Sequence, residues 1–341
     1  MTVAEAEGGR TERESELDRV LELLAGAKSV VVTTHANADG DGAGSEVALA
    51  AFLRAQGTEA WIVNPTPFPE SCAFLLPDPG WVLAAKSEEA RRRCRAADLA
   101  VVVDTSETPR IGRVKSLVRK LPKVVIDHHP PGGKPIEGVV FRDTAACATG
   151  ELVFELIERA GGPWSETVAR ALYMAVLTDT GGFRFANANP SCFRTAARLV
   201  ELGAAPEALH RAAYGGFRLR RFELLREALA TLAVGAGGRL AWMIVPKEAY
   251  DRLGATVEDL EGFVDVPRDV AGVEVAVLFR TTADGRIKVS LRSVSPVDVN
   301  AIATALGGGG HVRAAAAVVK GPLEEVVERV LRRVEGGLGG G

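Results

Sequence analysis

The sequence predicts an α/β protein in two parts. A parallel-sheet N-terminal domain with helices on both faces is followed by a helical connector and a smaller α/β domain. Three observations predict this. Short β-branched runs alternate with amphipathic helical segments from residue 29 to about residue 177. No strand signal interrupts residues 190–234. From Leu240 the pattern turns to closely spaced strands with a hairpin signal.

Residues 15–27 read as an amphipathic helix with Leu17, Val20, Leu21 and Leu24 on one face. A strand at 29–34 follows, then a helix from Ser45 to Arg54, with Gly57 suited to its end. Ala60 to Val63 is a short strand, and Asn64 to Pro79 is a loop because it holds five prolines. Next come a helix (87–95), a strand (99–103), a helix (112–120), strands at 123–126 and 138–141, and a helix from about Cys147 to Ala160. A helix over 165–177 carries Asp179 just beyond its end or on a short extension. In the second part, strands are expected at 240–245, 273–281 and 286–292, with Thr282-Ala-Asp284-Gly285 as the hairpin turn. Helices follow at 298–305 and 323–334, separated by Gly307–Gly310, His311 and the alanine run 314–317. The expected divisions are an N-terminal domain over 15–190, a connector over 191–236 and a C-terminal domain over 237–335.

The composition is that of an ordinary globular protein, 47% hydrophobic and 25% charged over 341 residues. A net charge of −3 provides no global basic field for long nucleic acid, though a small anion can still be bound locally. The four cysteines, Cys72, Cys94, Cys147 and Cys192, show no C-x-x-C pair and read as buried thiols in a reducing compartment. The first 16 residues lack a basic start and an apolar core, so no signal peptide is expected. No stretch approaches about 18 apolar residues, so no membrane span is expected. The expected location is cytoplasmic.

Chemistry-bearing residues follow the apolar runs. Val30-Val31-Val32-Thr33-Thr34 leads into His35-Ala-Asn-Ala-Asp39-Gly-Asp41, Val101-Val102-Val103 into Asp104, and Val124-Val125-Ile126 into Asp127-His128-His129. Met174-Ala-Val-Leu177-Thr178 leads into Asp179. A parallel sheet delivers the C-terminal ends of its strands to one edge, so these blocks are expected to meet there. His35, Asp39 and Asp41 are expected on one glycine-bearing turn, in which Gly40, Gly42 and Gly44 permit positive φ and close backbone approach. Asp104 is expected to reach across and bridge two ions, with His128 and Asp179 completing the set. Six N/O ligands exceed the needs of one metal and suit two ions ~3.5–4 Å apart. A set without sulfur favours Mn²⁺, with Mg²⁺ or Co²⁺ as alternatives, over structural zinc. Gly40-Asp-Gly-Ala-Gly44 is a poor dinucleotide loop, because its spacing is G-x-G-x-G and an acid stands where a pyrophosphate would sit.

These blocks resemble the DHH phosphoesterase family, whose triplet stands here as Asp127-His128-His129. His35-x-x-x-Asp39-x-Asp41-x-x-Gly44-Ser45 is similar to its first motif, Asp104-Thr105-Ser106 to its second and Asp179-Thr180-Gly181 to its fourth. Gly308-Gly-Gly310-His311 resembles the signature of the associated DHHA1 substrate domain, and the match covers nearly the whole chain. Length and connector resemble the nano-RNase/pAp-phosphatase branch rather than the longer RecJ exonucleases. The resemblance implies one ion held by His35, Asp39 and Asp104, and another held by Asp41, Asp104, His128 and Asp179. It further implies that Asp127 orients an imidazole and that His129 contacts the scissile phosphate or leaving oxygen. Two departures stand out. Ala38 occupies a position where the family often has proline, and Val312-Arg313-Ala314-Ala315-Ala316 replaces the usual segment after the histidine.

In the second lobe the Gly307–Gly310 run reads either as a flexible loop or as backbone N–H groups that cradle an anion beside His311. Lys288, Ser290 and Arg292 alternate along one strand and share a face. Beside the family match this face is expected to bind phosphate, with Arg292 and His311 on the terminal phosphate or a ribose and Gly309, Gly310 and Lys288 nearby. Arg110 either binds substrate or pairs with a carboxylate. Phe183 and Phe185 are expected to pack in the core, and His210 to lie at the surface.

The expected activity is two-metal hydrolysis of oligoribonucleotides of about two to five units and of 3′-phosphoadenosine 5′-phosphate, the substrate range being what the resemblance implies. Short RNA and small nucleotides are the expected partners, with no long duplex nucleic acid and no membrane, and a homodimer is the expected assembly. The alternatives are a cyclic or linear dinucleotide phosphodiesterase, a family-II-type inorganic pyrophosphatase and a nucleotide-binding regulatory module.

Overall fold

The structure, a computed structural model, describes residues 3–339, with side chains from Arg13 onward, and divides at Gly216 into two compact units. In the first, six strands form one parallel sheet: β1 (Ser29–Thr33), β2 (Glu59–Asn64), β3 (Val82–Ala84), β4 (Leu99–Val103), β5 (Lys123–Asp127) and β6 (Val139–Arg142). Their order is β3-β2-β1-β4-β5-β6. Strands are added outward from β1 on one side and from β4 on the other. The order therefore reverses between β1 and β4, and a crevice for ligands opens there, at the carboxyl ends of the strands.

Among the described residues the helices of this unit are α1 (Val3–Gly26), α2 (Gly40–Ala55), α3 (Glu88–Ala96), α4 (Val114–Leu117), α5 (Thr149–Arg159), α6 (Glu166–Asp179), α7 (Pro190–Glu201) and α8 (Pro206–Tyr214). The period-2 alternation of strand side chains decides which helices each strand residue meets. Val30, Val32, Val101, Val103, Val124 and Ile126 face the core shared with α1, α2, α5 and α6. Val31 and Ala100 face the opposite side, against Ala90 and Cys94 of α3 and Val114 of α4. Helix α2 is apolar nearly all round, and every residue from Gly40 to Leu53 is buried.

The elements largely follow the expected order, with local differences, among them α2 beginning at Gly40 rather than Ser45. Strand β3 has only three residues, too few for a period-2 signal. The helix expected over 112–120 shortens to α4, because Gly112 takes φ +51° before it. The proline-rich loop holds two 3₁₀ turns, Glu70–Leu75 and Pro79–Trp81.

The second unit contains α9 (Leu219–Leu229), β7 (Ala233–Gly235), β8 (Leu240–Val245), α10 (Lys247–Arg252), α11 (Asp265–Arg268), β9 (Val275–Thr281), β10 (Ile287–Ser293), α12 (Val299–Thr304), β11 (Gly309–His311), β12 (Ala314–Val319) and α13 (Leu323–Leu338). Its sheet runs β11-β12-β10-β9-β8-β7, and only the β8–β9 pair is parallel. One face packs on α12 and α13. The other is covered in part by α9, α10 and the Leu260–Val266 segment. The predicted turn closes β9 to β10, with Gly285 at φ +79°.

Residues 191–236 have no core of their own. Ala196 and Leu199 of α7 and Leu209 of α8 are buried in the first unit's core, while Leu224 and Ala228 of α9 pack on Met243 and Val245 of the second.

The glycine run before His311 is not a free loop, because Gly309, Gly310 and His311 pair with Ala316, Ala315 and Ala314 of β12. A Cβ on Gly308 would lie 2.1 Å from the Ala316 carbonyl oxygen, and one on Gly310 would lie 2.5 Å from that of Ala314. The backbone expected to cradle an anion is thus committed in part to a sheet edge, and glycine is required there by close approach to β12. No described helix is long and apolar enough to cross a membrane. The four cysteines are all buried and form no disulfide.

Candidate metal centre

Strand β1 delivers His35 to the switch point. Its Nδ1 lies 2.9 Å from the Ala36 carbonyl oxygen. A carbonyl only accepts, so Nδ1 carries a proton and Nε2 is turned toward the carboxylates of the centre. That Nε2 sits 3.1 Å from Asp104 Oδ2 and 3.8 Å from Asp39 Oδ2.

Asp39 and Asp41 do not share a glycine turn as expected. Asp39 is the N-cap of α2, its Oδ1 accepting from the N–H groups of Asp41 and Gly42 at 3.1 and 3.0 Å. Asp41 lies in the first helical turn. Gly40, Gly42 and Gly44 are helical, and none takes a positive φ. Of the two expected uses, close approach is the one these glycines serve. A Cβ on Gly40 would meet Thr178 Oγ1 at 2.4 Å, one on Gly42 would meet Thr34 Oγ1 at 2.7 Å, and one on Gly44 would meet the Ala171 carbonyl oxygen at 2.4 Å. The glycines let α2 press against β1 and α6, bringing Asp41 and Asp179 to one place.

Asp104 follows β4 in a left-handed conformation, φ +61°, and is almost fully buried. A non-glycine residue held there beside a crevice is a mark of a functional site. Its neighbour β5 ends in Asp127, followed by His128 and His129. His128 Nδ1 lies 3.2 Å from the Ala146 carbonyl oxygen, which again leaves Nε2 facing the centre. Around that Nε2 stand Asp179 Oδ2 at 3.6 Å, Asp41 Oδ2 at 3.8 Å and Asp104 Oδ1 at 3.9 Å. His129 Nδ1 bonds Asp127 Oδ1 at 2.9 Å and lies 3.6 Å from Asp104 Oδ1. Asp179 is the last residue of α6, its Oδ2 accepting from Asn187 Nδ2 at 3.2 Å.

Other residues hold this cluster together that the spacing of motifs did not reveal. The backbone N–H groups of Thr149 and Gly150, at the start of α5, donate to Asp41 Oδ2 and Oδ1 at 2.7 and 2.9 Å. The Thr149 hydroxyl donates to Asp104 Oδ1 at 3.1 Å, and Ser45 Oγ donates to Asp41 Oδ1 at 3.3 Å. Only Ser45 had a sequence signal, as a member of the first motif.

The donor atoms form three compact sets: His35, Asp39 and Asp104; Asp41, His128 and Asp179; and Asp104, His128 and His129. The donor chemistry fits divalent cations. His128 Nε2 is buried and has no hydrogen-bond partner among the described residues. The carboxylate oxygens around it stand too far for hydrogen bonds but close enough to share a cation with it.

The electrostatics point the same way. Burial pushes the Asp104 carboxyl well up, and the neighbouring Asp41, Asp39 and Asp179 push it further. Burial likewise raises Asp41, and burial with the charges of Asp41 and Asp39 takes Asp179 up to about 8. For Asp127, burial is outweighed by hydrogen bonds from His129 and Ser106, which hold it below the usual range. Its hydrogen bond to His129 raises that imidazole, against the cost of burial and the nearby charge of Arg110.

A pH test follows. Without cations Asp41, Asp104 and Asp179 hold protons in the folded chain above the ordinary carboxylate range, Asp179 up to about 8. Stability present at low pH is therefore lost as pH rises. The melting temperature in chelator is expected to fall between pH 5 and pH 8, and saturating Mn²⁺ is expected to flatten or reverse that trend. A chelated protein that grows more stable across this window would contradict the buried carboxylate cluster.

Arg110 also lies in the first unit. Its carbonyl accepts from Ala36 N at 2.8 Å, tying it to the His35 loop. In the second unit the strand register places Arg292 opposite Ala314, and Ala314 opposite His311. Directly opposed residues share a sheet face, so Arg292 and His311 stand on the same one, two strands apart. Lys288, Ser290 and Arg292 line a cavity of about 370 Å³ on that face. Burial lowers the Arg292 guanidinium, and Asp265 stands 3.8 Å from its Nε. Phe183 packs at the edge of the core, whereas Phe185 is 45% exposed, and His210 is exposed beside Tyr214.

The N-terminal domain of the DHH family matches residues 29–176, and the DHHA1 domain matches residues 243–340. A Thermus thermophilus protein named bifunctional oligoribonuclease and PAP phosphatase NrnA is 35% identical, covering 92% of this chain and 92% of its own. A Bacillus subtilis protein of the same name is 25% identical over 89% of this chain and 93% of its own. The crystal structure of an exopolyphosphatase-related protein from Bacteroides fragilis superposes with a TM-score of 0.87 at 27% identity, covering 94% of this chain and 97% of that one.

Proposed function

Because this chain belongs to the DHH family and carries a DHHA1 domain, we propose that it is a metal-dependent phosphoesterase. Its substrates are short oligoribonucleotides, cleaved to mononucleotides, and 3′-phosphoadenosine 5′-phosphate, cleaved to AMP and phosphate. Relatives named for both activities span almost the whole chain. The observation that carries the reading is the buried, unpartnered His128 Nε2 at the centre of a sulfur-free set of carboxylates and imidazoles.

His35, Asp39 and Asp104 would hold one ion, and Asp41, Asp104, His128 and Asp179 the other. The oxygen-rich donor set suits Mn²⁺, with Mg²⁺ or Co²⁺ as substitutes. When bound, such a pair supplies an activated water and neutralises charge on the phosphoryl oxygens. Asp127 keeps the His129 Nδ1 proton in place, which aims the rest of the ring outward. His129 then donates to a phosphoryl oxygen or the leaving ribose oxygen. In the second unit Arg292 and His311 bind a further phosphate or ribose of the substrate, beside Lys288 and the Gly309-Gly310 edge. Arg110 lends positive charge near His129.

The test is hydrolysis with Mn²⁺ supplied. Phosphate release from 3′-phosphoadenosine 5′-phosphate and mononucleotide release from two- to five-unit RNA are expected to exceed hydrolysis of pyrophosphate and of cyclic dinucleotides. Arg292→Ala and His311→Ala are each expected to raise KM about 10-fold or more with kcat nearly unchanged, the cost of one charge-assisted hydrogen bond. Preference for pyrophosphate would replace the substrate assignment. No turnover on any phosphoester would leave a binding module.

A further inference from the structure

Helix α5 begins without a cap of its own. Its N-cap is Ala148, whose side chain has nothing to donate or accept. The first N–H groups of a helix need acceptors from elsewhere. Here the acceptor is Asp41, 108 residues away in sequence, which takes one bond from Thr149 N and one from Gly150 N. The Thr149 hydroxyl is not used by α5 either. It reaches Asp104 Oδ1 at 3.1 Å, from a side chain with no exposed surface. The same turn extends to a third carboxylate. The Cys147 carbonyl accepts from Asn187 Nδ2 at 2.8 Å, and that amide also donates to Asp179 Oδ2. The start of α5 thus bonds two of these mutually repelling acids directly and is tied to the third through Asn187.

We infer that Thr149 is a positioning residue for the metal centre, fixing the rotation of the Asp104 carboxylate through its hydroxyl while its N–H grips Asp41. The inference rests on the metal reading above. Asp104 Oδ2 faces His35 Nε2 at 3.1 Å, and Oδ1 faces the His128 and His129 side. A carboxylate that would serve two ions with one oxygen each depends on the rotation of its plane, and the torsion about its last bond is otherwise broad. The Thr149 O–H removes that freedom on the Oδ1 side. Partners of this kind orient ligands, and their loss weakens metal binding 10–100-fold without removing any ligand. Glycine at 150 follows from the same crowding, since a Cβ there would lie 2.5 Å from Ala175 Cβ.

The experiment measures Mn²⁺ binding to the full chain, stripped with chelator and reloaded, by titration calorimetry and electron paramagnetic resonance. The wild type is expected to take up two ions and show a spin-coupled pair. Thr149→Val keeps the backbone N–H and loses the hydroxyl. It is expected to bind at least one ion about 10–100-fold more weakly and to lose the coupled signal where the wild type retains it. Thr149→Ser restores the hydroxyl and is expected to bind within about threefold of wild type, with the coupled signal present. A valine variant with wild-type affinity and coupling overturns the inference, as does a serine variant as weak as valine. Circular dichroism in chelator reports folding. Should the valine variant not fold, Thr149→Ala, which cannot overpack the site, takes its place: weakened binding supports the inference and wild-type binding overturns it. A wild type that binds no ion defeats the metal reading itself, a result distinct from either.

Discussion

Asp104→Asn is expected to abolish turnover, by about 10³-fold or more at saturating Mn²⁺, and to raise the melting temperature of the chelated protein. Both effects have one cause. Asp104 faces His35, His128 and His129 within 4 Å and is nearly fully buried. In the proposed enzyme it is the acid common to both ions, so removing its charge costs at least ~4 kcal/mol of transition-state stabilisation. Without cations the same charge is unfavourable, because burial and the nearby Asp41, Asp39 and Asp179 all oppose its ionisation. Asparagine keeps the shape and tolerates the left-handed backbone at φ +61°. Alanine should lose as much activity but gain less stability, being a poorer occupant of that conformation. Phosphate release and thermal unfolding, with and without Mn²⁺, check the pair. Wild-type turnover in either variant would remove Asp104 from the centre. His128→Ala is expected to lose activity similarly, leaving the fold intact.

Gly44→Ala is expected to destabilise the first unit by about 3 kcal/mol and to lower metal affinity. The added methyl would lie 2.4 Å from the Ala171 carbonyl oxygen, and backbone cannot swing aside as a flexible side chain can. The relief available is for α2 to move away from α6, which separates Asp41 on one helix from Asp179 on the other. Activity should therefore fall further than stability alone accounts for. Gly26→Ala is the control. That glycine ends α1, has no positive φ and has nothing within 4 Å of a would-be Cβ. Alanine there should be neutral or stabilising by up to about 1 kcal/mol. Equal melting temperatures for Gly44→Ala and wild type would show that α2 and α6 are not packed as described.

Much of this was legible in the chain. The runs Val30–Val32, Val101–Val103 and Val124–Ile126 are buried strands, and the polar residues that follow them reach one sheet edge, because a parallel strand carries its C-terminal neighbours to a common side. The positions of Gly40, Gly42 and Gly44 were legible, as were two uses for them, but not which of the two applies. Glycine signals either an unusual backbone angle or a close approach, and the spacing alone does not separate the two. Here the angles are helical and the neighbours crowd in. Gly308 and Gly310 repeat the ambiguity. They read as a loop, yet β12 takes them into a strand, because the alanines opposite leave room for backbone only.

The order of apolar and acidic residues by itself determined the parallel sheet, the strand ends that carry His35, Asp104 and Asp127–His129, and a donor set without sulfur. Local sequence suffices for that, since apolar runs separated by helical segments make parallel strands, and parallel strands bring their C-terminal ends to one edge. Tertiary structure alone decided that Asp41 lies in the first turn of a helix and that the N-terminus of α5, more than a hundred residues later, grips it. It also decided that Arg292 and His311 share a face. Such contacts depend on the distance between packed elements, and no spacing along the chain encodes that distance.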